Sequence, residues 1–382
     1  MTGNVALLLG CGTVGTAAVK LLLEDGKFRH VIAADRQSCR AASLADAMGD
    51  GVTAIQLDCG DEDQVAGVLG DVSVVLNATG PFDRSTLFLM RTVVEAGVPY
   101  ADINDDVETL QAVFESEYLN SLAKDRGVGV LSGLGASPGQ TNVVARHMAT
   151  RMDQVDEVRF FMVNDATYRS QAVWRHRLAL FGNPSLLFDE GRWTEMPGMS
   201  QYQDVAFPAP WGNIRCYTVG LETVTIPQSF GGIRHVSLWR GFSDPATTEA
   251  LKGLVDAGFA SEEPVEAEGG ALSPAAMAAA VLARPKPGES VETPGRLPRQ
   301  VRVKGMKDGR PSELVMDYSF PPGDIALATA SCLVVGAGLL VTRELPGPGV
   351  IAPENLDPAP FMWDMENRGV HFRLEDSSSL RS

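Results

Sequence analysis

The stretch Val5-Ala6-Leu7-Leu8-Leu9-Gly10-Cys11-Gly12-Thr13-Val14-Gly15 constrains the fold more than any other part of the chain. An apolar run, then G-x-G-x-x-G, then the periodic Ala17, Ala18, Leu21 and Leu22 read as strand, tight turn and helix. In that arrangement Gly10 permits the turn, Gly12 lets the backbone approach a pyrophosphate, and Gly15 lets the helix pack closely on its strand. The helix start at Thr13 and Val14 turns N–H groups and the positive dipole end toward the phosphates. Residues 31–35 read as a second strand. It ends in Asp35, about twenty residues past the glycines, where an acid takes the adenosine ribose hydroxyls. Asp35 would repel a 2′-phosphate, so NAD is the expected cofactor; Arg36 could instead pair with that phosphate, which leaves NADP open.

Further along, strand-like and helix-like segments alternate. Helices are predicted at 38–48, 62–69, 85–96 and 107–124, and strands at 53–57, 73–77, 100–103 and 128–132. Apolar strands joined by helices predict an α/β, Rossmann-type doubly wound parallel sheet in the order 3-2-1-4-5-6. The ligand cleft then lies at the carboxyl ends of the strands. Asp58 and Cys59 end the third strand, Asn77, Ala78, Thr79 and Gly80 the fourth, Asp102 the fifth, and the loop holding Gly135 and Pro138 the sixth. From about residue 140 the pattern changes to alternating strands (157–163, 213–219, 235–239, 300–305, 313–320) broken by helices at 246–257 and 273–282. This predicts a second α+β domain on a mixed sheet, spanning 140–323 and inserted into a first domain of 1–139 plus 324–382. Residues 284–298 read as a surface loop, and Asp324 as the N-cap of a buried apolar helix near 325–342.

A formal net charge of −16 argues against nucleic acid and anionic membrane as partners. Five scattered cysteines without a C-x-x-C pair suit reduced thiols in the cytoplasm and provide no metal-ligand spacing, so no metal is expected. No basic region precedes the first apolar run, so no signal peptide is expected.

The fingerprint Gly10–Gly15, the stretch Asn77-Ala78-Thr79-Gly80-Pro81-Phe82, the segment Tyr100-Ala101-Asp102 and above all Gly135-Ala136-Ser137-Pro138-Gly139-Gln140-Thr141-Asn142 resemble the saccharopine dehydrogenase-like reductases. Gly220-Leu221-Glu222-Thr223-Val224-Thr225-Ile226-Pro227, Trp239-Arg240-Gly241 and the tail from Pro353-Glu354-Asn355 to Arg368-Gly369-Val370 are similar as well. Total length and the Asp35 strand end look closest to the lysine 6-dehydrogenase branch, from which the segment 168–199 departs. The resemblance implies hydride transfer between a nicotinamide cofactor and the amine-bearing carbon of an amino acid, or the reverse imine reduction. It also implies a homodimer built through the second domain.

Such chemistry needs a proton carrier and an anchor for the substrate carboxylate. Asp102, at a strand end, and Glu222, in the family-like stretch, are the candidate acid–base groups. Arg240, helped by Arg175 or His176, is the candidate carboxylate clamp, since a guanidinium pairs with carboxylate through two parallel hydrogen bonds. Reduction of an aldehyde or hydroxy acid, and nucleotide sensing without catalysis, remain alternative readings of the same cofactor fold.

Overall fold

The computed structural model describes residues 4–164, 170–220, 222–284, 296–321 and 325–376. In chain order the first elements are β1 (Asn4–Leu9), α1 (Thr13–Glu24), β2 (Phe28–Asp35), α2 (Ser38–Met48), β3 (Val52–Gln56), α3 (Glu62–Val68), β4 (Val74–Asn77), α4 (Ser85–Glu95), β5 (Tyr100–Asp102), α5 (Val107–Glu115), α6 (Glu117–Arg126), β6 (Gly129–Leu131) and α7 (Gln140–Ala149). Then follow β7 (Gln154–Asn164), α8 (Gln171–Gly182), β8 (Ser185–Asp189), β9 (Arg192–Met196), β10 (Tyr202–Phe207), β11 (Gly212–Val219), α9 (Ile226–Ser229), β12 (His235–Phe242), α10 (Pro245–Asp256), β13 (Val265–Ala267), β14 (Gly270–Leu272), α11 (Pro274–Leu282), β15 (Pro298–Lys307) and β16 (Arg310–Ser319). The chain closes with α12 (Ile325–Thr342), β17 (Gly349–Ile351), a 3₁₀ turn at Pro353–Asn355, α13 (Pro358–Asn367) and β18 (His371–Asp376).

These elements form two compact units. The first draws on Met1–His147, Val224–Ser229 and Asp324–Gly369, the second on Met148–Thr223, Phe230–Gly323 and Val370–Ser382. Compared with the expected boundaries, most of α7 and the short α9 segment fall in the first unit, and the tail from Val370 in the second. The tail has a physical reason to be there: β18 adds to the edge of β16 as an antiparallel strand, from Leu314↔Asp376 to Ser319↔His371. The expected 284–298 loop falls largely on 285–295, and the expected cap on Asp324; both lie outside the described residues.

The first unit holds a seven-stranded parallel sheet in the order β17-β6-β5-β4-β1-β2-β3, the predicted 3-2-1-4-5-6 with β17 added beside β6. One face carries a core of Leu7, Leu9, Val75, Met90, Val93, Val113 and Val130. On the other, α1 packs against α12. That helix has a mean hydropathy of 2.2 over 18 residues and is 72% buried, so most of its apolar surface is covered by protein. The helix expected over 107–124 is two helices. Ser116 sits between them with extended backbone (ψ 91°), and its hydroxyl accepts the Leu119 N–H to start α6.

The second unit is a nine-stranded mixed sheet. Its main path is β10-β11-β12-β7-β15-β16-β18, with the β8–β9 hairpin attached through β12. β12 and β7 run parallel, while β7–β15 and β15–β16 are antiparallel. Along these strands, alternate residues point to one buried face. Trp174 and Phe181 of α8 pack there against Phe242, with ring centroids 5.7 and 5.6 Å apart.

Candidate active site

The three glycines of the loop differ in what surrounds them. Gly10 lies at φ +94°, and a Cβ there would sit 2.9 Å from the Ala78 carbonyl, so this glycine brings the β1 and β4 loops together. A Cβ on Gly15 would stand 1.8 Å from the Gly10 carbonyl oxygen. At Gly12, by contrast, a Cβ would meet nothing within 4 Å. Gly12 is also the N-cap of α1: it has no capping side chain, and the first turn, which starts at Thr13 and Val14, has no acid. Open space beside a helix start without side-chain cap or acid is what a pyrophosphate requires.

Asp35 is fixed beside this loop. Its Oδ2 accepts the Cys11 N–H and its Oδ1 the Gln37 N–H, each at 2.9 Å. Two backbone donors hold the carboxylate in place and leave each oxygen capacity for a ribose hydroxyl. Next to it, Arg36, Gln56, Asp58 and Gln64 line a polar cavity of about 440 Å³. Asp58 closes its own turn by accepting the Gly60 N–H at 2.9 Å. Burial, with Asp35 adding to it, pushes the Cys11 thiol up to about 11; burial and then Asp58 do the same for Cys59. Neither thiol is a nucleophile at neutral pH, and both serve as small loop residues. On the β4 loop, the Asn77 side chain accepts the Thr79 N–H at 2.9 Å and so shapes Ala78–Gly80.

Asp102 ends β5, and its carboxylate gathers the neighbouring strand ends. It is fully buried. Its carboxylate accepts the backbone N–H of Gly133 at 2.8 Å and of Asn104 at 3.1 Å, and the hydroxyls of Ser132 at 3.0 Å and Tyr100 at 3.1 Å. The Tyr100 hydroxyl in turn accepts a hydrogen bond from the Asn77 side chain at 2.8 Å. Asp102 therefore joins the ends of β4, β5 and β6, and these partners take up the carboxylate's acceptor capacity. Burial pushes its pKa up to about 6, against the opposing effect of those hydrogen bonds.

The loop after β6 folds on itself: the Gly135 N–H bonds the Pro138 carbonyl and the Gln140 N–H bonds the Gly135 carbonyl, both at 2.9 Å. Gly135 and Pro138 are both buried in this loop. Just beyond lies a cluster the sequence reading did not single out. The Asn142 side chain donates to Glu354 Oε2 at 3.0 Å and to Thr225 at 3.3 Å, and Ser229 donates to Glu354 Oε1 at 2.9 Å. Arg146 holds the backbone carbonyls of Glu354 and Ser229. Burial raises the Glu354 pKa above its usual range. Gln140-Thr141-Asn142 and Pro353-Glu354-Asn355 were visible as family-like motifs, but a lock joining segments more than 200 residues apart was not.

In the second unit Glu222 is fully buried, and Arg240, on β12, is 3% exposed. Arg175 is not their companion. Its side chain is 53% exposed and forms an ion pair with Glu262. His176 is exposed as well. Trp174, Arg177, Leu178 and Phe181 form the buried stripe of α8, so Arg177 is the inward arginine of that cluster. Among the described residues, no three of His, Cys, Asp or Glu gather into a metal-holding group.

Residues 6–131 match the family profile described as "Saccharopine dehydrogenase NADP binding domain". Carboxynorspermidine synthase of Vibrio cholerae serotype O1 is 22% identical over 342 residues, covering 82% of this chain and 81% of the relative. Among solved structures, apo saccharopine dehydrogenase (L-Glu forming) from Saccharomyces cerevisiae superposes with a TM-score of 0.76 at 16% identity, covering 98% of this chain and all of that one. Homospermidine synthase from Legionella pneumophila, in complex with NAD, gives a TM-score of 0.63 at 12% identity, over 98% of this chain and 91% of that one. At these identities the two structural likenesses speak for the fold.

Proposed function

We propose that this chain, which belongs to the saccharopine dehydrogenase-like family and is an NAD(P)-binding oxidoreductase, acts on the CH–NH bond of an amine that also carries a carboxylate. The observation that carries the reading is the open space at Gly12 beside an α1 start without side-chain cap or acid, with Asp35 fixed next to it. Bound there, the nicotinamide cofactor supplies or accepts the hydride. Gly10, Gly12 and Gly15 admit the phosphates, Asp35 holds the ribose, and Arg36 and Asp58 flank the adenosine end. Arg240 anchors the substrate carboxylate, and Glu222 takes or returns the amine proton. Asp102 keeps the strand ends in register and has no part in the proton step.

The relatives' names support an amine over an alcohol as the reacting group, since carboxynorspermidine is a carboxylated polyamine. A lysine-type amino acid and a carboxylated polyamine both meet these requirements. The test mixes the chain with NAD or NADP and a panel of amino acids, polyamines, hydroxy acids and alcohols, and follows absorbance of the reduced cofactor. Turnover confined to amines is expected. Turnover confined to hydroxy acids or alcohols, or tight cofactor binding with no turnover at all, overturns the reading.

Because two backbone N–H groups hold the Asp35 carboxylate in place, a 2′-phosphate meets a fixed negative charge. The expected result is a kcat/KM at least about tenfold higher with NAD than with NADP, or roughly 1.4 kcal/mol at the transition state. A preference of that size for NADP would mean that Arg36 reaches the phosphate and outweighs Asp35.

A further inference from the structure

Four polar side chains of the first unit are linked end to end beneath the β4 loop. The Thr79 hydroxyl bonds the Asn77 side-chain oxygen at 2.5 Å, and the Asn77 amide donates to the Tyr100 hydroxyl at 2.8 Å. That hydroxyl donates to Asp102 Oδ2 at 3.1 Å. One end of the chain fixes its direction. The Thr79 backbone N–H, which can only donate, also ends on Asn77 Oδ1, at 2.9 Å. The Asn77 oxygen therefore faces Thr79 and its NH2 faces Tyr100. The Tyr100 oxygen accepts from that NH2 and gives its own proton to the carboxylate. The Thr79 hydroxyl faces an oxygen that can only accept, so its proton is turned inward. What it presents to a ligand is acceptor lone pairs, not a donor. Asn77, Tyr100 and Asp102 are at most 1% exposed, while Thr79 is half-buried, so Thr79 is the member of the chain that meets the surface.

We propose that the Thr79 hydroxyl accepts a hydrogen bond from a hydroxyl of the nicotinamide-side ribose, with Asn77, Tyr100 and Asp102 as positioning residues that keep it an acceptor. This rests on the cofactor site described above and not on the choice of substrate. The sheet order sets which half of the dinucleotide comes here. β4 and β2 flank β1 on opposite sides. With the adenosine ribose at Asp35, which closes β2, the other half of the dinucleotide runs over β4 and β5. The β4 loop stands against the glycine turn: a Cβ on Gly10 would lie 3.0 Å from the Thr79 nitrogen. Next to the pyrophosphate, the first donors that this half offers are the ribose hydroxyls, and the carboxamide lies beyond them. Above its pKa of about 6 Asp102 is ionised and draws each hydrogen bond of the chain toward it, which strengthens the Thr79 oxygen as an acceptor. Both riboses then meet oxygen acceptors, Asp35 on one side of β1 and Thr79 on the other. A mere brace for the loop would need only the Thr79 N–H on Asn77, and the hydroxyl would be dispensable.

The test measures binding of ADP, ADP-ribose and NADH to the full chain at pH 8, NADH by its fluorescence and the other two by competition with it. ADP carries the adenosine half, ADP-ribose adds the second ribose, and NADH adds the nicotinamide. Thr79→Val removes the hydroxyl and leaves the backbone N–H on Asn77, so the loop keeps its brace. It should weaken ADP-ribose and NADH about five- to tenfold, as expected for one hydrogen bond, and leave ADP unchanged. Thr79→Ser, which keeps the hydroxyl, should bind all three as the wild type does. Tyr100→Phe breaks the chain away from the ligand and should show the same selective loss, smaller in size, with ADP as the control for folding. No loss in Thr79→Val, or an equal loss on all three ligands, overturns the assignment. A loss with NADH but not with ADP-ribose places the donor on the carboxamide and overturns the ribose assignment. Wild-type ADP-ribose affinity in Tyr100→Phe overturns the positioning role. A wild type that binds none of the three would instead overturn the cofactor site itself.

Discussion

Replacing Asp102 by alanine is expected to destabilise the protein by about 3–5 kcal/mol, a large share of the 5–15 kcal/mol typical of a folded domain. The reason is the number of donors it would strand. The N–H groups of Gly133 and Asn104 and the hydroxyls of Ser132 and Tyr100 all end on this carboxylate. Each buried donor left without an acceptor costs about 1–3 kcal/mol, although the two hydroxyls can rotate to soften the loss. Asp102→Asn should behave differently. Its carbonyl oxygen can still accept from the two backbone donors, and its amide can face the two hydroxyls.

The pH dependence separates the two variants further. In the folded chain Asp102 keeps its proton up to about pH 6, against an ordinary value of 3.8. Between those values the folded state binds more protons than the unfolded state, so this group makes stability fall as pH rises. The decline amounts to about 3 kcal/mol and levels off above pH 6. Urea denaturation from pH 4 to 7 should show wild-type stability falling by that amount relative to Asp102→Asn. Parallel profiles for the two, or an alanine variant as stable as the wild type, would remove the strand-end role assigned here.

The glycine loop gives the second large effect, and there one position can be lost without the fold. Gly12→Val is expected to fold with a stability change within about 1 kcal/mol, because its side chain enters open space. Dinucleotide affinity should fall about 100-fold or more, roughly 2.7 kcal/mol, because that space is where the pyrophosphate must approach. Gly15→Ala should show the reverse order of damage. Its Cβ would overlap the Gly10 carbonyl oxygen at 1.8 Å, so the helix must back away from its strand, at about 1–3 kcal/mol of stability. NADH fluorescence titration and urea denaturation on the two variants make the comparison. Equal cofactor binding by Gly12→Val and wild type would show that the phosphates do not use this loop.

The parallel sheet was legible because buried strands and amphipathic helices leave opposite periodicities in the sequence, and the glycine fingerprint fixed where the alternation begins. The split at Ser116 leaves no mark in the sequence because the apolar pattern runs through it unbroken. In the second unit β8, β9, β13 and β14 are short or largely exposed, so no core-facing alternation marks them. The position of Asp102 at a strand end was readable, but the number of donors converging on it was not, since they come from residues up to 31 apart. Arg175 stands in a basic cluster, yet the 174, 177, 178, 181 spacing favours Arg177 as the inward residue.

The packing of α12 against α1 has a consequence for how the protein comes into being. When the ribosome has released the glycine loop and the first six strands, the cofactor-binding layer still has one side bare. The helix that covers α1 is encoded about 300 residues later, after nearly the whole of the other unit. Until then the surface of α1 that α12 covers stays open in the nascent chain. The second unit, whose strands β7 to β16 lie in one largely uninterrupted stretch, can collect itself first. The first unit is thus begun before the second and closed after most of it, and a message truncated before residue 325 would yield a fingerprint without its cover.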